Sequence, residues 1–374
     1  MPAPAPTSLR IPASLLPADG RFGCGPSKVR PEAVAALARH GTDLLGTSHR
    51  QAPVKALVAR VRAGIAELFG LPDGWEVVLG NGGSTLFWDV ATFCLLDGLS
   101  QHCVFGEFSG KFAEAAARAP QCGPAEVRAA APGTTSGFLP DPAVDAYCTP
   151  HNETSTGAAV TPRRPAAEGL VLVDATSAAG GLPWDPAQAD VYYFAPQKCF
   201  ASDGGLWIAC CSPAALARAA AVEGARWVPA SLSLSAAAER SRVDETLNTP
   251  AVATLVLLVE QLDWMLANGG MPWAAARCAT SAATLYGWAE ASPFATPFVA
   301  DPAERSALVG TVDLDAGIDH TVVCAVLRAN GVVDLEPYRK LGRNQLRVGM
   351  FPAVDPADVA ALTACVDWVV ERLA

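Results

Sequence analysis

Charge is what this chain has least of. Only 17% of its 374 residues are Asp, Glu, Lys or Arg, against 51% hydrophobic residues, which excludes a disordered chain and supplies ample core material. Within that small set acid exceeds base, 37 to 27, for a net charge of −10. A broad polyanion-binding surface is therefore not expected, no nucleic-acid partner is predicted, and any anion site must be local. Long apolar runs are missing too. The longest, Ala251–Val259, is interrupted by Thr254 and followed by Glu260, well short of the roughly 20 residues a bilayer span needs, so no membrane association is predicted. Residues 1–20 are broken by proline and hold no apolar signal-peptide core. The 11 cysteines are scattered, with no C-x-x-C pair and no histidine at zinc spacing. Neither a disulfide framework nor a metal centre is predicted, and buried reduced thiols in the cytoplasm are the simpler reading.

What is present alternates. Pro31–Arg39 and Val54–Phe69 read as helices, the first with proline in its opening turn and Gly41 beyond its end. Short apolar runs follow at Glu76–Leu79, Cys103–Phe105, Leu170–Val173, Val191–Phe194 and Leu206–Cys211, each bounded by turn residues, with helical stretches Leu86–Leu95 and Lys111–Arg118 among them. This is the pattern of a mainly parallel sheet covered by helices on both faces, an α/β fold. Helices are expected over Ala251–Trp264 and Trp273–Trp288, broken at Gly269-Gly270. The rhythm then changes: Leu308–Val312 strand, Ile318–Ala329 helix, Val332–Leu335 and Leu346–Met350 strands, and Pro356–Leu373 helix. The expected organisation is an N-terminal arm (1–20), a large domain (21–265) and a small α+β C-terminal domain (266–374).

Chemistry concentrates near strand ends. LVLVDATSAAGG is an apolar strand ending in Asp174; VYYF leads into APQKCFASDGGL, which puts Lys198 just past the next strand. The carboxyl ends of strands form the ligand crevice of an open α/β sheet, so the two would face one site. A lysine amine can form a Schiff base with a carbonyl cofactor, and an aspartate against a pyridine nitrogen keeps that ring protonated. Taken singly, each also serves as a turn cap or a loop lysine. Gly80-Asn81-Gly82-Gly83-Ser84-Thr85 forms a strand-to-helix turn suited to a small phosphate, although it matches neither the P-loop nor G-x-G-x-x-G. Phe108 could stack on a flat ring or belong to the core. Thr154 could reach a cofactor oxygen or sit in a polar turn. Arg50 and Arg347 could grip carboxylates or lie on the surface. His49 could join an anion pocket, and Arg339, Lys340 and Arg343 could serve a substrate phosphate or form a solvated face.

In order, the stretches RFGCGPSKVRPE, GTSHR, GNGGST, HNETSTG, LVLVDATSAAGG, FAPQKCF and LNTP span nearly everything from Arg21 onward. The set resembles the phosphoserine aminotransferases, fold-type I enzymes of aminotransferase class V, and looks closest to their actinobacterial branch. The resemblance implies pyridoxal 5′-phosphate as cofactor, with Lys198 as its Schiff-base lysine, Asp174 as partner of the ring nitrogen and Gln197 as a further contact. Ser84 and Thr85 would bind the cofactor phosphate and Thr154 its phenolic oxygen. Phe108 stands where many relatives have a stacked tryptophan. Asn248 and Thr249 would reach the cofactor phosphate of the other subunit, which makes the expected assembly a homodimer with shared sites. Arg50 and Arg347 would hold substrate carboxylates. The implied reaction is ping-pong transfer of an amino group from L-glutamate to 3-phosphohydroxypyruvate, in serine biosynthesis. Some relatives also act on a phosphorylated four-carbon precursor of the cofactor. The alternative is another class V transaminase acting on glyoxylate or pyruvate. Other branches carry an arginine in the glycine-rich turn and a His-Arg pair near the C-terminal end. Here Thr85 replaces the former and Arg339, Lys340 and Arg343 are the nearest basic residues to the latter, so His49 with one or more of these is the expected grip on the substrate phosphate.

Overall fold

The computed structural model describes residues 8–373. Its strands in chain order are β1 (Glu76–Asn81), β2 (Leu99–Val104), β3 (Ala125–Ala129), β4 (Val144–Pro150), a short ribbon of β5 (Asn152–Glu153) and β6 (Ala158–Ala159), then β7 (Leu170–Asp174), β8 (Val191–Phe194), β9 (Leu206–Cys211), β10 (Ala295–Pro297), β11 (Val309–Leu314) and β12 (Gln345–Gly349). The large sheet has the order β1-β9-β8-β7-β4-β2-β3. Strand β9 is antiparallel to both neighbours, while β8, β7, β4, β2 and β3 pair in parallel. Six of the seven strands thus deliver their carboxyl ends to one edge.

The period of two along a strand divides this sheet between two cores. Val171, Val173, Tyr192, Phe194, Ile208 and Cys210 pack with the helices Ala52–Phe69 and Val252–Ala267. Their alternates Leu170, Leu172, Val191, Tyr193, Trp207 and Ala209 pack with Ser84–Cys94, Glu107–Arg118 and Pro213–Ala225. Burial on both faces explains why these strands read as unbroken apolar runs. Each fully buried large aliphatic side chain contributes about 1.5–3 kcal/mol, which fixes the register and hence the position of every strand end.

A second cluster joins β10, β11 and β12 to the helices His320–Ala329 and Pro356–Leu373. Helix Gly270–Ala291 spans the two regions: Ala274 packs with the large sheet, and Ala282, Leu285 and Ala289 pack with the C-terminal cluster. Ile11 and Phe22 also join the C-terminal cluster. The described part of the expected N-terminal arm therefore packs on the smaller core; residues 1–7 lie outside the described residues. Two sequence expectations change. Val332–Leu335 is not a strand, because only Val333 bridges to Arg21. The strand expected at Cys103–Phe105 instead runs from Leu99 to Val104, its start masked in the sequence by the buried polar residues Ser100, Gln101 and His102. Strands β3 and β4 and the helices Pro213–Ala225 and Leu234–Arg242 were missed. Among the described residues no helix is long and apolar enough to cross a membrane.

Candidate active site

Four strand ends meet around Lys198. It follows β8, Asp174 closes β7, the segment 151–154 follows β4, and β1 runs through glycines into the Ser84–Cys94 helix. They enclose a cavity of about 300 Å³ lined by Ser84, Thr85, Phe108, Thr154, Asp174, Gln197 and Lys198, all singled out from sequence. Lys198 and Asp174 are each only 9% exposed. Lys198 Nζ makes no hydrogen bond to any described residue and lies 5.5 Å from the centre of the Phe108 ring. Burial holds its amine below the ordinary lysine range, opposed by the Asp174 charge. The neutral amine, which is the nucleophilic form, is thereby favoured.

Asp174 is held on both oxygens. Trp88 Nε1 and Tyr193 Oη each donate to Oδ2 at 3.1 Å. The backbone N–H of Thr176 donates to Oδ1 at 3.0 Å, and the Thr176 hydroxyl lies 2.5 Å from it. At the next strand end Glu153, fully buried, accepts from the backbone N–H groups of Phe108 and Ser109 at 3.1 and 3.0 Å, and so caps the helix that carries Phe108. Burial raises its carboxyl against these hydrogen bonds. Gly106 permits this contact, for a Cβ there would meet Glu153 Cγ at 2.1 Å. Gly25, with φ +131°, packs against the Lys198 stem, where a Cβ would meet Cε at 2.7 Å.

Unsatisfied groups gather at the same place. Among the described residues seven buried side-chain polar atoms lack a partner; Asn152 Oδ1 and Gln197 Oε1 belong to the cavity and Arg347 Nε to its neighbour. Such atoms are costly unless something else satisfies them, which fits a polar ligand. The N–H groups of Ser84 and Thr85 also find no acceptor among the described residues, at the start of an 11-residue helix. An amine-reactive ring with an anionic tail fits these donors.

The residues expected to hold substrate are arranged differently. Arg347 donates from Nη1 to the Thr154 carbonyl at 3.1 Å and lines an adjoining cavity of about 510 Å³ with Tyr338 and Arg339. Arg50 is bound to Glu245 at 2.5 Å, a carboxylate also 3.4 Å from both Lys55 and Arg240. His49 Nδ1 lies 3.1 Å from Thr249 Oγ1, and Asn81 donates to the Thr249 carbonyl at 2.7 Å. None of Arg50, His49, Asn248 and Thr249 lines the Lys198 cavity of its own chain. Lys340 pairs with Glu107 and Arg343 with Asp313.

A model of the class-V aminotransferases matches residues 143–333, which include Asp174 and Lys198. A phosphoserine aminotransferase of Rhodococcus opacus is 60% identical over 97% of this chain and 98% of its own length. A protein of Mycolicibacterium vanbaalenii, provisionally given the same name, is 64% identical over 98% of this chain and 99% of its own. The chain belongs to the class-V aminotransferases. Among solved structures, the phosphoserine aminotransferase of Cytophaga hutchinsonii superposes with a TM-score of 0.86 at 23% identity, covering 94% of this chain and 99% of that one. The one from Bacillus circulans superposes at 0.85 with 19% identity, covering 95% and 99%. At such identities these two show the fold alone, a mixed α/β fold with a large, mostly parallel sheet.

Sequence reasoning missed Asn152, Thr176, Trp88, Tyr193 and Gly25 within this class-V site. Asn152 and Thr176 carried a signal, as polar residues within two positions of a strand end. Trp88 and Tyr193 carried none, because a buried aromatic in a helix or strand looks like core.

Proposed function

We propose that this chain is a pyridoxal-phosphate-dependent aminotransferase that moves the amino group of L-glutamate to 3-phosphohydroxypyruvate, giving O-phospho-L-serine and 2-oxoglutarate. The observation that carries the reading is Lys198, a buried amine without a hydrogen-bond partner among the described residues, lining one cavity with Asp174. Relatives at 60–64% identity supply the substrate, through the activity for which they are named. Bound there, the cofactor would act as an electron sink for the carbanion at the substrate Cα.

The chain's own groups do the rest. Asp174, fixed by Trp88, Tyr193 and Thr176, would hold the ring nitrogen's proton. Phe108 would cover a ring face, and Gln197 and Thr154 would meet its polar edge. Thr85 and the free N–H groups of Ser84 and Thr85 at their helix start lie where an anionic tail fits. Lys198 Nζ, its basicity lowered by burial, would take the proton from substrate Cα and return it as general base and acid. Arg347 would orient the α-carboxylate, with its fork already anchored on the Thr154 carbonyl.

The remaining groups, Asn248 and Thr249 with Arg50 and His49, would complete the site of a partner subunit, so the working form is a homodimer. His49, with Arg339, Lys340 or Arg343, would meet the side-chain anion. The 11 free cysteines, ten of them buried, suit a reducing compartment and hence the cytoplasm.

A half-reaction screen tests the substrate. Glutamate should bleach the visible cofactor band of the purified protein, and 3-phosphohydroxypyruvate should restore it faster than pyruvate or glyoxylate. Restoration by pyruvate at an equal rate would favour the alternative class-V activity.

A further inference from the structure

Ser84 was assigned from sequence to the cofactor phosphate. Its hydroxyl lies 2.6 Å from Thr176 Oγ1, which lies 2.5 Å from Asp174 Oδ1. Ser84 is buried at 7% exposure, whereas Thr85 beside it is exposed.

A hydroxyl has one proton to give, and an ionised carboxylate only accepts. The Thr176 proton therefore goes to Asp174, and the Ser84 proton goes to Thr176. The other carboxylate oxygen is already taken by Trp88 and Tyr193. With its proton committed to Thr176, Ser84 presents lone pairs to the helix terminus, which an anionic tail disfavours. The exposed hydroxyl of Thr85 and the free N–H groups of Ser84 and Thr85 remain as donors there.

We infer that the Ser84 side chain is a positioning group for Asp174, acting through Thr176, and that a cofactor phosphate is left to Thr85 and the backbone. The inference rests on the reading of this cavity as a pyridoxal phosphate site.

Binding of two probes to the full-length protein separates the ends of the ring: pyridoxal 5′-phosphate and pyridoxal, which lacks the phosphate. Ser84→Ala should weaken both by the same factor, about fivefold for one lost hydrogen bond. Thr85→Val should weaken pyridoxal phosphate alone. Ser84→Ala combined with Thr176→Val should lose about as much as Thr176→Val by itself, since both cut one relay, and Thr176→Ser should bind like wild type. The pH at which the visible band of the bound cofactor changes should move in the same direction in Ser84→Ala and Thr176→Val and stay put in Thr85→Val. A loss in Ser84→Ala confined to pyridoxal phosphate would overturn the relay, as would losses at Ser84 and Thr176 that multiply. Were Thr176→Val unable to fold, the comparison of Ser84→Ala with Thr85→Val on the two probes would still decide. Wild-type protein that binds neither probe would overturn the cofactor reading itself, and the relay with it.

Discussion

The two ends of the proposed site are built on different principles. Around Lys198 the charged groups are buried, come from strand ends of one sheet, and are held by short-range donors such as Trp88 and Tyr193 on Asp174. Three of the cations expected to meet substrate are instead exposed and tied to carboxylates, Arg50 to Glu245, Lys340 to Glu107 and Arg343 to Asp313, whereas Arg347 is half-buried and bonded to the Thr154 carbonyl. The cofactor end is therefore fixed by folding, at the cost of burying an amine without a hydrogen-bond partner among the described residues. The substrate end is a set of tethers that an incoming anion must compete with, and part of it would come from a second chain. Rigid placement suits a group that stays bound; exchangeable ion pairs suit side-chain anions that arrive and leave each turnover.

Mixing variants gives the largest contrast between the two ends. Lys198→Ala should be inactive, and Arg50→Ala nearly so if Arg50 serves the partner's site. A heterodimer of the two would hold one site with both residues intact. Reassorting an equal mixture should therefore recover about a quarter of wild-type activity, from a two-fold symmetric pair of sites. Recovery of none, with mixed dimers verified, would place Arg50 in its own chain's chemistry.

Within the rigid end, Asp174→Ala should cost about 3 kcal/mol of barrier, roughly a hundredfold in rate, and weaken cofactor binding together with it. A wild-type rate at saturating cofactor would remove Asp174 from its role.

The same burial makes this end acid-sensitive. His151, whose N–H donates to the Asp174 carbonyl at 2.9 Å, is pushed down to about 3 by burial, and His102 to about 4. In the unfolded chain both titrate near 6.5. The two histidines should thus add no pH dependence above pH 6.5 and should lower stability below it, as the unfolded chain takes up protons that the folded one refuses. The expected loss is about 1.4 kcal/mol per histidine for each pH unit, down to pH 4. Urea unfolding at pH 7 and pH 5 measures it. An equal drop in a variant lacking both histidines would assign the effect to other groups.

Much of the rigid end was legible because strand ends are where apolar periodicity stops. Asp174 and Lys198 stand out as the first charged residues after LVLV and VYYF, and parallel order brings consecutive strand ends together. What supports them was not legible. Tyr193 differs from Tyr192 only in facing the other side of the sheet, and only a known register makes one of them a partner of Asp174. The turn at Ser84 was placed correctly, but the direction of its proton depends on Thr176, 92 residues away. The tethered cations were hardest to read, because an arginine on a surface and an arginine awaiting substrate have the same sequence. The strand expected at Val332–Leu335 fails for a related reason: its alternation is real, with Val332 and Leu335 buried in the C-terminal core, yet only Val333 finds a bridging partner.

The smallest expected effect lies where the two ends touch. Glu107 opens the helix that carries Phe108, and it pairs with both Lys340 and Lys111. Those cations hold its carboxyl below the ordinary range, Lys340 foremost. Tyr338, two residues before Lys340, has its ring 6.0 Å from that of Phe108. Glu107→Gln should release Lys340 without disturbing the ring contact. Exposed ion pairs contribute little to stability, so the fold should be unaffected. A freed Lys340 should lower KM for the phosphorylated keto acid by about threefold, less than 1 kcal/mol, while kcat and cofactor affinity hold. The effect should shrink as salt screens it. A rise in KM would mean that Glu107 places Lys340 for the substrate rather than competing with it, and that tether would then belong with the rigid end.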